Sequence, residues 1–547
     1  MILRRLYLYV VSAAALTLLA TGLTLLGGTI LLFVFNDPSA DSSRGQLAVF
    51  TAMTVVALPV WAVHFWFARR LALRDPFERA SALRRLYFYW ACLVTSVGAM
   101  VALAFTLSQL LQPPLDSQRL NALTASQLGW ATFVLVVFFA FHFQVASTDR
   151  AAAGEEGASS TLRRWYMYLG LLVGLLVMLG GTQALLQLGW TRLADSSFDK
   201  FTYLSGPVGL ALAGAVMWAF HARAIAVNHA AEDRHSTLRA LQGFIAVAIS
   251  ITTALFGASQ ILYYILARVL GVSNPGNAGD NVAVAAAGPG SALLIYGVAW
   301  FLIQRRLARD AGTQEADRQA GVRRLYTNLT ALVSLAVWAI GAGGLLWTLA
   351  EQLEAPIIGV AAHDWKDPVS LFVTLLAVGA AVWLAHWRQA PWAADRQSLS
   401  RKLYVWAALL GSILVVLGAG VGMINALLQQ VFSAHPRLND PNNLDFGHYL
   451  AVIVVAAGVG IYHWRVLRSD SAARPARAAV ASSAPKAAVM PVISSRVEAA
   501  IAPEVIAPHG RRYTLVVTEA TDDDVHQALA ALPPQASYKL TPAEQTS

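Results

Sequence analysis

Residues 84–89 read Arg84-Arg85-Leu86-Tyr87-Phe88-Tyr89, and this basic–aromatic signature recurs along the chain about every 80 residues. Closely related copies begin at Arg4, Arg163, Arg323 and Arg401. A degraded copy, residues 238–244, fills the gap between the third and the fifth. Self-similarity at a fixed period is typical of architectures built from tandem units. The sequence therefore predicts six copies of one module. Their approximate boundaries are 1–80, 81–158, 159–235, 236–318, 319–397 and 398–468.

The composition indicates a membrane protein. Of the 547 residues, 57% are hydrophobic and only 13% are charged, whereas soluble domains carry about 25% charged residues. Twelve apolar segments, two in each copy, reach the length of about 20 residues that a membrane-spanning helix needs. The predicted fold class is an all-α integral membrane protein of about twelve transmembrane helices. These helices form six tandem hairpins of about 80 residues, followed by a short cytoplasmic C-terminal tail.

Each copy closes with an apolar run that ends in an aromatic–histidine signature. The five histidines are His64, His142, His221, His386 and His463, and copy four has Trp300 instead. An imidazole about one turn from the end of a membrane helix can anchor that end at the interface. The alternatives are proton or substrate chemistry and haem ligation. Haem would need pairs between copies, because no odd-numbered helix offers a second histidine at that depth. The sequence favours the interfacial anchor and keeps these histidines as the candidate cofactor ligands.

Arginine placement predicts the orientation. Of the 40 Lys and Arg residues, 26 lie at the amino terminus, after even-numbered segments or just after the last segment, and seven follow odd-numbered segments. Because basic residues stay on the cytoplasmic side, both termini are expected in the cytoplasm, with the chain in a bacterial cytoplasmic (inner) membrane. The net charge of +9 is then mostly topogenic and implies no nucleic-acid partner.

The remaining polar and small residues have structural interpretations. The arginine pairs are expected at lipid phosphates and the following tyrosines at the headgroup level, with a ligand role for the tyrosines as the alternative. Twelve glycines near the middle of the long helices are expected to pack helices closely, or else to provide a hinge or a close approach to a substrate. They are Gly22, Gly27, Gly28, Gly180, Gly181, Gly257, Gly341, Gly343, Gly344, Gly418, Gly420 and Gly422. Polar residues toward the outer end are expected to bond helices together, or to line a polar path. They are Ser108, Gln109, Gln183, Gln187, Gln260 and Asn425.

The sequence nominates no enzyme chemistry. Its one cysteine, Cys92, allows no disulfide within the chain and no cysteine metal site, and it is expected to pack as a small apolar residue. Catalytic and nucleotide-binding motifs do not occur, so no catalytic residue and no metal site are predicted. Ionisable residues are missing near the centre of all twelve segments, which argues against an ion-coupled pump.

The chain beyond the last apolar segment changes character. Residues 469–510 are rich in Ala, Pro and Ser and predict a flexible linker. Residues 511–547 predict a small cytoplasmic tail element, with a strand at 513–518 and a helix at 522–532. A core this small suggests folding on a partner.

The signatures together resemble a bacterial family of two-helix membrane modules, catalogued as a domain of unknown function. The match is clearest in the openings at Arg4, Arg84, Arg323 and Arg401 and in the closing triplets at His386 and His463. The resemblance implies no activity and no cofactor. The sequence therefore favours a non-enzymatic scaffold or accessory subunit of a membrane complex, with the bilayer, complex partners and a cytoplasmic partner for the tail. A transporter or channel for a small solute is the alternative, and a haem-binding electron carrier is the third candidate.

Overall fold

Long helices dominate the protein. The computed structural model describes residues 2–195, 203–228, 233, 236–277, 279, 281–311, 317–358, 361–387, 398–432 and 445–472. The long helices of this part are α1 (Ile2–Val34), α2 (Arg44–Arg74), α3 (Ala82–Leu111), α4 (Ala122–Ala153), α5 (Ala158–Ala194), α6 (Ser205–Asn228), α7 (Thr237–Val269), α8 (Ala287–Ala311), α9 (Asp317–Ile358), α10 (Lys366–Trp387), α11 (Leu399–Phe432) and α12 (Asp445–Ala472). Short helices at Pro76–Arg79 and Val282–Ala285 lie in the connections.

All twelve long helices are long and apolar enough to cross a membrane. The chain is therefore a multi-pass membrane protein, in which each helix satisfies its own backbone hydrogen bonds within the hydrocarbon. The twelve predicted apolar segments are confirmed, but most of the helices are longer than the segments. The apolar run from residue 165 to residue 189, for example, lies inside the longer helix α5. Hydropathy marks only the apolar part of a helix, whereas backbone hydrogen bonding continues into the polar interface.

Helix packing follows the order of the chain. Each odd-numbered helix packs most extensively against the even-numbered helix after it, and we call these two helices a pair. From α4 onward, each even-numbered helix also packs against the odd-numbered helix of the preceding pair, as α6 does against α3. Within the described ranges, substantial contacts join only pairs that follow one another in sequence. The first and last pairs therefore each have one neighbouring pair.

Two glycines shape the short turn between α4 and α5. Gly154 and Gly157 have φ angles of +67° and +54°, in the left-handed region that strains residues with a side chain. The turn between them carries Glu155, whose side chain is 4% exposed. This connection therefore brings a buried carboxylate to the point where two helix ends meet.

The expected packing role of the small residues is confirmed at many glycines. A Cβ added to Gly181, Gly257 or Gly341 would lie 2.3–2.4 Å from a backbone atom of the neighbouring helix. The expectation is wrong at Gly343, Gly418 and Gly420, where an added Cβ would meet no atom within 4 Å. Small residues occur all around these helices, and only those on the face toward another helix permit a close approach. The tertiary structure alone identifies that face.

Gly209, which the sequence did not single out, lies where α6 crosses α3. A Cβ on this residue would lie 2.4 Å from the carbonyl oxygen of Ala104. The two backbones are therefore in direct contact at this crossing, which joins the second pair to the third. Contacts of this kind replace the hydrophobic drive that is missing between helices in lipid.

The substitution Gly209→Ala is expected to lower the thermal unfolding temperature of the protein in detergent. Its methyl group would overlap the α3 backbone, and overpacking of this kind costs about 1–3 kcal/mol. Gly420→Ala is the matched control, because the same methyl group enters open space there and alanine favours a helix. Equal unfolding temperatures for the two variants would contradict the close crossing of α3 and α6.

The linker predicted at 469–510 and the tail element predicted at 511–547 lie outside the described residues, except that α12 continues to Ala472.

Candidate functional site

The signature histidines share one hydrogen-bonding arrangement. In each, the Nδ1 atom lies 2.7–2.9 Å from the carbonyl oxygen four residues earlier on the same helix. A carbonyl oxygen only accepts hydrogen bonds, so we assign the proton to Nδ1. The Nε2 atom of each neutral imidazole is then an acceptor that points away from its own helix.

The acceptor atom of three histidines meets a tyrosine from the opening signature of the same copy. Tyr87 lies 3.1 Å from His142, and Tyr404 lies 2.9 Å from His463, measured between the tyrosine hydroxyl and Nε2. Tyr7 lies 3.2 Å from His64 in the same way. The two signatures, about 55–59 residues apart, therefore form one contact. The sequence placed both signatures toward the cytoplasmic side but did not predict this bond.

A tryptophan from the preceding copy extends this contact. The indole Nε1 of Trp61 donates to the hydroxyl of Tyr87 at 3.0 Å, and that of Trp383 donates to Tyr404 at 2.9 Å. Because an indole can only donate, the tyrosine proton is directed to the histidine. The result is a directed chain from tryptophan to tyrosine to histidine to backbone carbonyl. It occurs between copies one and two and again between copies five and six.

Copy three contains both the tyrosine and the histidine, but the two side chains form no hydrogen bond. The rings of Tyr166 and His221 lie 5.3 Å apart, yet the tyrosine hydroxyl and the histidine Nε2 are both buried without a hydrogen-bond partner. Gly170 lies beside this imidazole, and a Cβ there would be 2.4 Å from Nε2. The glycine therefore provides the space into which the ring of His221 is displaced. In copy five, Tyr326 and His386 are also in ring contact, at 5.8 Å.

Burial contradicts the interfacial-anchor interpretation for three histidines. His142 and His463 are 0% exposed and His221 is 1% exposed. The prediction is wrong for them because the odd-numbered helices cover these imidazoles, which removes the open path that an anchoring side chain needs. His64 and His386 are partly exposed, and the anchor interpretation still fits them.

The arginine pairs form a second cluster, with carboxylates that lie at the end of the same copy or, for Asp470, just beyond it. Arg84 Nε donates to Asp149 at 2.7 Å, and Arg401 Nε donates to Asp470 at 2.8 Å. Arg164 Nε reaches Asp233 at 2.7 Å. Corresponding bonds join Arg4 and Arg5 to Glu78. Each bond ties the start of an odd-numbered helix to the chain segment at or beyond the end of its even-numbered partner.

Glu155 joins two copies through this cluster. Its carboxylate accepts from Arg163 Nε of copy three at 2.9 Å and lies 3.6 Å from Arg85 of copy two. Tyr89 also donates to it. In a parallel arrangement, Arg84 of copy two contacts the hydroxyl of Tyr9 in copy one at 3.3 Å. The basic and aromatic residues of the signature therefore bind neighbouring copies to each other.

The prediction that these arginines contact lipid phosphates is wrong for the buried ones. Arg85 and Arg163 are 0% exposed and Arg84 is 1% exposed. Carboxylates of the protein supply the negative charge that phosphates would otherwise supply, and they accept hydrogen bonds from Arg84 and Arg163. Arg85 donates its hydrogen bonds to the backbone carbonyls of Ala146 and Gly154. Arg4, with a side chain 50% exposed, remains accessible to a headgroup. A sequence signal existed, because an acidic residue follows each of these arginine pairs at a spacing of 65–74 residues.

Asp233 lies outside the spanning segments, and its carboxylate is paired with two arginines. Burial alone would raise its pKa, but hydrogen bonds from Arg164 and Arg163 outweigh that effect and hold the pKa below its usual range. Tyr168 is the third residue that donates a hydrogen bond to this carboxylate, at 3.2 Å. Because the folded-state pKa is lowered, the pairing stabilises the fold at neutral pH. This contribution is lost as the pH falls through the lowered pKa.

The substitution Asp233→Asn is expected to lower the unfolding temperature at pH 7 strongly. Removing one partner of a buried pair costs about 3–5 kcal/mol. The gap between this variant and the wild type should shrink as the pH falls below the ordinary Asp pKa of about 3.9. Asp41→Asn is the control, since its partner Arg44 is 73% exposed and exposed pairs contribute about 0–1 kcal/mol. A pH-independent gap would contradict the assigned charge pairing.

The polar residues toward the outer ends also bond helices together. The Ser108 hydroxyl lies 3.4 Å from that of Ser205 on α6, and Gln183 donates to Ser291 on α8 at 3.2 Å. Gln127, which the sequence did not single out, donates to the Gly28 carbonyl at 2.8 Å. The structural interpretation is confirmed for Ser108 and Gln183. Cys92 is 0% exposed, as expected for a packed apolar residue.

Protein groups already occupy the nitrogen atoms at which two of the signature histidines could bind a ligand. Both imidazole nitrogens of His142 and His463 are engaged by protein groups, so neither offers a lone pair to haem iron. His221 has a free Nε2, but it faces the backbone of Gly170. Among the described residues, no group of three or more His, Cys, Asp and Glu side chains could hold a metal ion.

The substitution Tyr87→Phe is expected to destabilise the protein by about 1–3 kcal/mol, because it leaves Trp61 and His142 with unsatisfied buried atoms. Tyr166→Phe is the matched control: it occupies the same position of the repeat, but its hydroxyl has no partner to lose. Thermal unfolding in detergent measures both. Equal destabilisation by the two variants would show that the directed chain contributes nothing.

The fold and the clusters define a multi-pass membrane protein whose repeated polar residues bind its own helices together. The chain belongs to the family described as Domain of unknown function (DUF5671), which matches residues 5–137, 122–216, 181–292 and 324–458. The first three matches overlap in sequence, and the third covers the degraded signature at 238–244. No curated protein and no solved structure matches the chain.

Proposed function

We propose that the six helix pairs are tandem copies of one hairpin module, in a bacterial cytoplasmic membrane with both termini in the cytoplasm. The recurrence of the tyrosine–histidine and arginine–carboxylate contacts at the same positions of successive copies supports a common module. The concentration of Lys and Arg at the ends that carry these clusters supports the orientation.

Cysteine labelling is expected to reveal this orientation. In a Cys92→Ala background, Ser42→Cys and Ser471→Cys each place one thiol at an exposed position on opposite sides of the membrane. A membrane-impermeant maleimide should label Ser42→Cys in intact cells and Ser471→Cys only after permeabilisation. The reverse pattern would overturn the orientation.

We propose that the protein acts as a non-enzymatic scaffold or accessory subunit of a membrane complex. One observation carries the proposal: the residues that the copies share use their charges and hydrogen bonds to bind one another, not to line a cavity. A scaffold needs helices held in fixed positions, and the buried pairs provide this. The first and last pairs, with one neighbouring pair each, leave helix faces for partners.

Transport of a polar solute has less support. A transport path needs polar or ionisable groups that face a cavity crossing the membrane. Here, several polar residues near the outer ends are used between helices. A cavity of about 890 Å³ among the described helices is lined mainly by alkyl and aromatic side chains. Haem ligation has less support still, because protein groups engage both nitrogens of His142 and His463.

Purification from the native membrane in mild detergent tests the scaffold proposal. An absorption spectrum and a quantitative list of co-purifying proteins would be recorded together. We expect a colourless preparation with at least one partner at near-stoichiometric amounts, retained at high salt and absent from a preparation of an unrelated membrane protein. A solitary protein would overturn the proposal. So would a Soret band lost on replacing His64 and His142, which would identify a cytochrome.

A C-terminal tail that recruits a cytoplasmic partner completes the proposal. Deletion of residues 473–547 should then remove cytoplasmic proteins from the list of partners and leave the membrane-embedded partners in place.

A further inference from the structure

An elongated groove lies between α9, α10, α11 and α12. Its volume is about 890 Å³, within the range of roughly 300–1,000 Å³ that is usual for ligand sites. Along α9 the lining extends from Leu332 to Glu351, which are 19 residues apart (351 − 332), or roughly 28 Å of helix. The groove thus follows most of the thickness of a bilayer, a shape that suits a hydrocarbon chain better than a compact solute.

The groove walls are apolar over most of this length. Val415, Val452 and Val459 are among the alkyl side chains that line it, with Phe372 and Trp347. Hydration of a polar solute or an ion could not be replaced along such a wall. A hydrocarbon chain loses nothing by entering it.

Two glycines keep the groove open. Gly343 on α9 is buried, yet a Cβ added to it would meet no atom within 4 Å. Gly411 on α11 has the same free space, and both residues line the groove. The sequence analysis expected Gly343 to bring helices together, and it did not single out Gly411. Their positions instead leave a space that any larger side chain would fill.

One end of the groove is acidic. Glu351 and Asp367 line this end, and the segment from 351 to 367 contains four acidic residues and one lysine. His363 donates to the Glu351 carboxylate through its backbone N–H at 3.2 Å and through its ring. The hydroxyl of Tyr263 donates to Asp367 at 2.5 Å. The two carboxylates are thus held in place, and each keeps further acceptor sites.

We propose that this groove binds one phospholipid with a primary-ammonium headgroup, such as phosphatidylethanolamine. An acyl chain lies along the apolar wall between α9 and α12, and the ammonium group donates hydrogen bonds to Glu351 and Asp367. Charge and hydrogen bonding together select this class of lipid. An anionic headgroup would be repelled by the acidic end of the groove, and a quaternary ammonium group could not donate hydrogen bonds to the carboxylates. This lipid site goes beyond the scaffold role and does not depend on it.

Lipid retention on the delipidated full-length protein tests the proposal. Phosphatidylethanolamine, phosphatidylcholine and phosphatidylglycerol with identical acyl chains would be added in turn, and bound lipid would be counted by native mass spectrometry. We expect one tightly bound phosphatidylethanolamine, with affinity about tenfold or more above that of the other two, as expected for a lost charge-assisted hydrogen bond. Equal or stronger retention of phosphatidylglycerol would overturn the proposal.

Variants locate the site. Gly343→Leu and Gly411→Leu fill the groove from opposite walls, and each should abolish the tight binding. Gly418→Leu is the matched control, since this exposed glycine also has free space but does not line the groove. Glu351→Gln and Asp367→Asn should each reduce the preference for phosphatidylethanolamine and leave chain binding in place. Wild-type retention in both groove-filling variants, each eluting as a monodisperse peak, would exclude the site.

Discussion

The structure depends on one constraint: a polar side chain buried in a membrane protein must find its partner within the protein. Water is absent from the hydrocarbon, so an unpaired charge or hydrogen-bonding group there is expensive. Arg84 and Arg163 illustrate the solution, because each is buried and each is held by a carboxylate of the protein. These partners come from other helix ends or from neighbouring copies. The same bonds that satisfy the side chains therefore determine which helices are neighbours.

The copies that depart from the pattern show what the contacts do. In copy three, Gly170 leaves space beside His221, and the tyrosine–histidine bond is broken although both residues are present. Copy four has a degraded opening signature and Trp300 in place of the histidine, and a second cavity of about 460 Å³ opens beside Trp218 and Gln242. The corresponding tryptophans of copies one and five donate to a tyrosine of the next copy. Where that tyrosine is missing, the indole lines empty space.

Among the described residues, the repeat contacts leave cavities at two places at least. The groove between α9 and α12 persists because Gly343 and Gly411 leave space along it. Its wall is apolar because the polar signature residues lie elsewhere, at the paired helix ends. A protein that uses most of its signature polar groups between its own helices can still bind lipid in such a groove, since hydrocarbon needs no polar partner.

The sequence by itself determined the apolar helices, the repeat and most of the residues that make up the recurring signatures. Apolar length identifies a membrane span because backbone hydrogen bonds in lipid must be local, and spacing identifies the repeat. Tyr87 and His142 were both recognised as signature residues from the sequence, as were the arginine pairs.

Only the tertiary structure decided what these residues touch. The expectations for Arg84 and His142 assumed a partner outside the protein, in the lipid headgroups. Asp149 and Tyr87 supply that partner from helix ends 65 and 55 residues away. Periodicity along one chain does not report which faces of different helices meet. For the same reason, the sequence could not distinguish Gly341, which packs against a neighbouring helix, from Gly343, which faces open space. Contacts between helices depend on rotation about each helix axis, which packing of the whole fold sets.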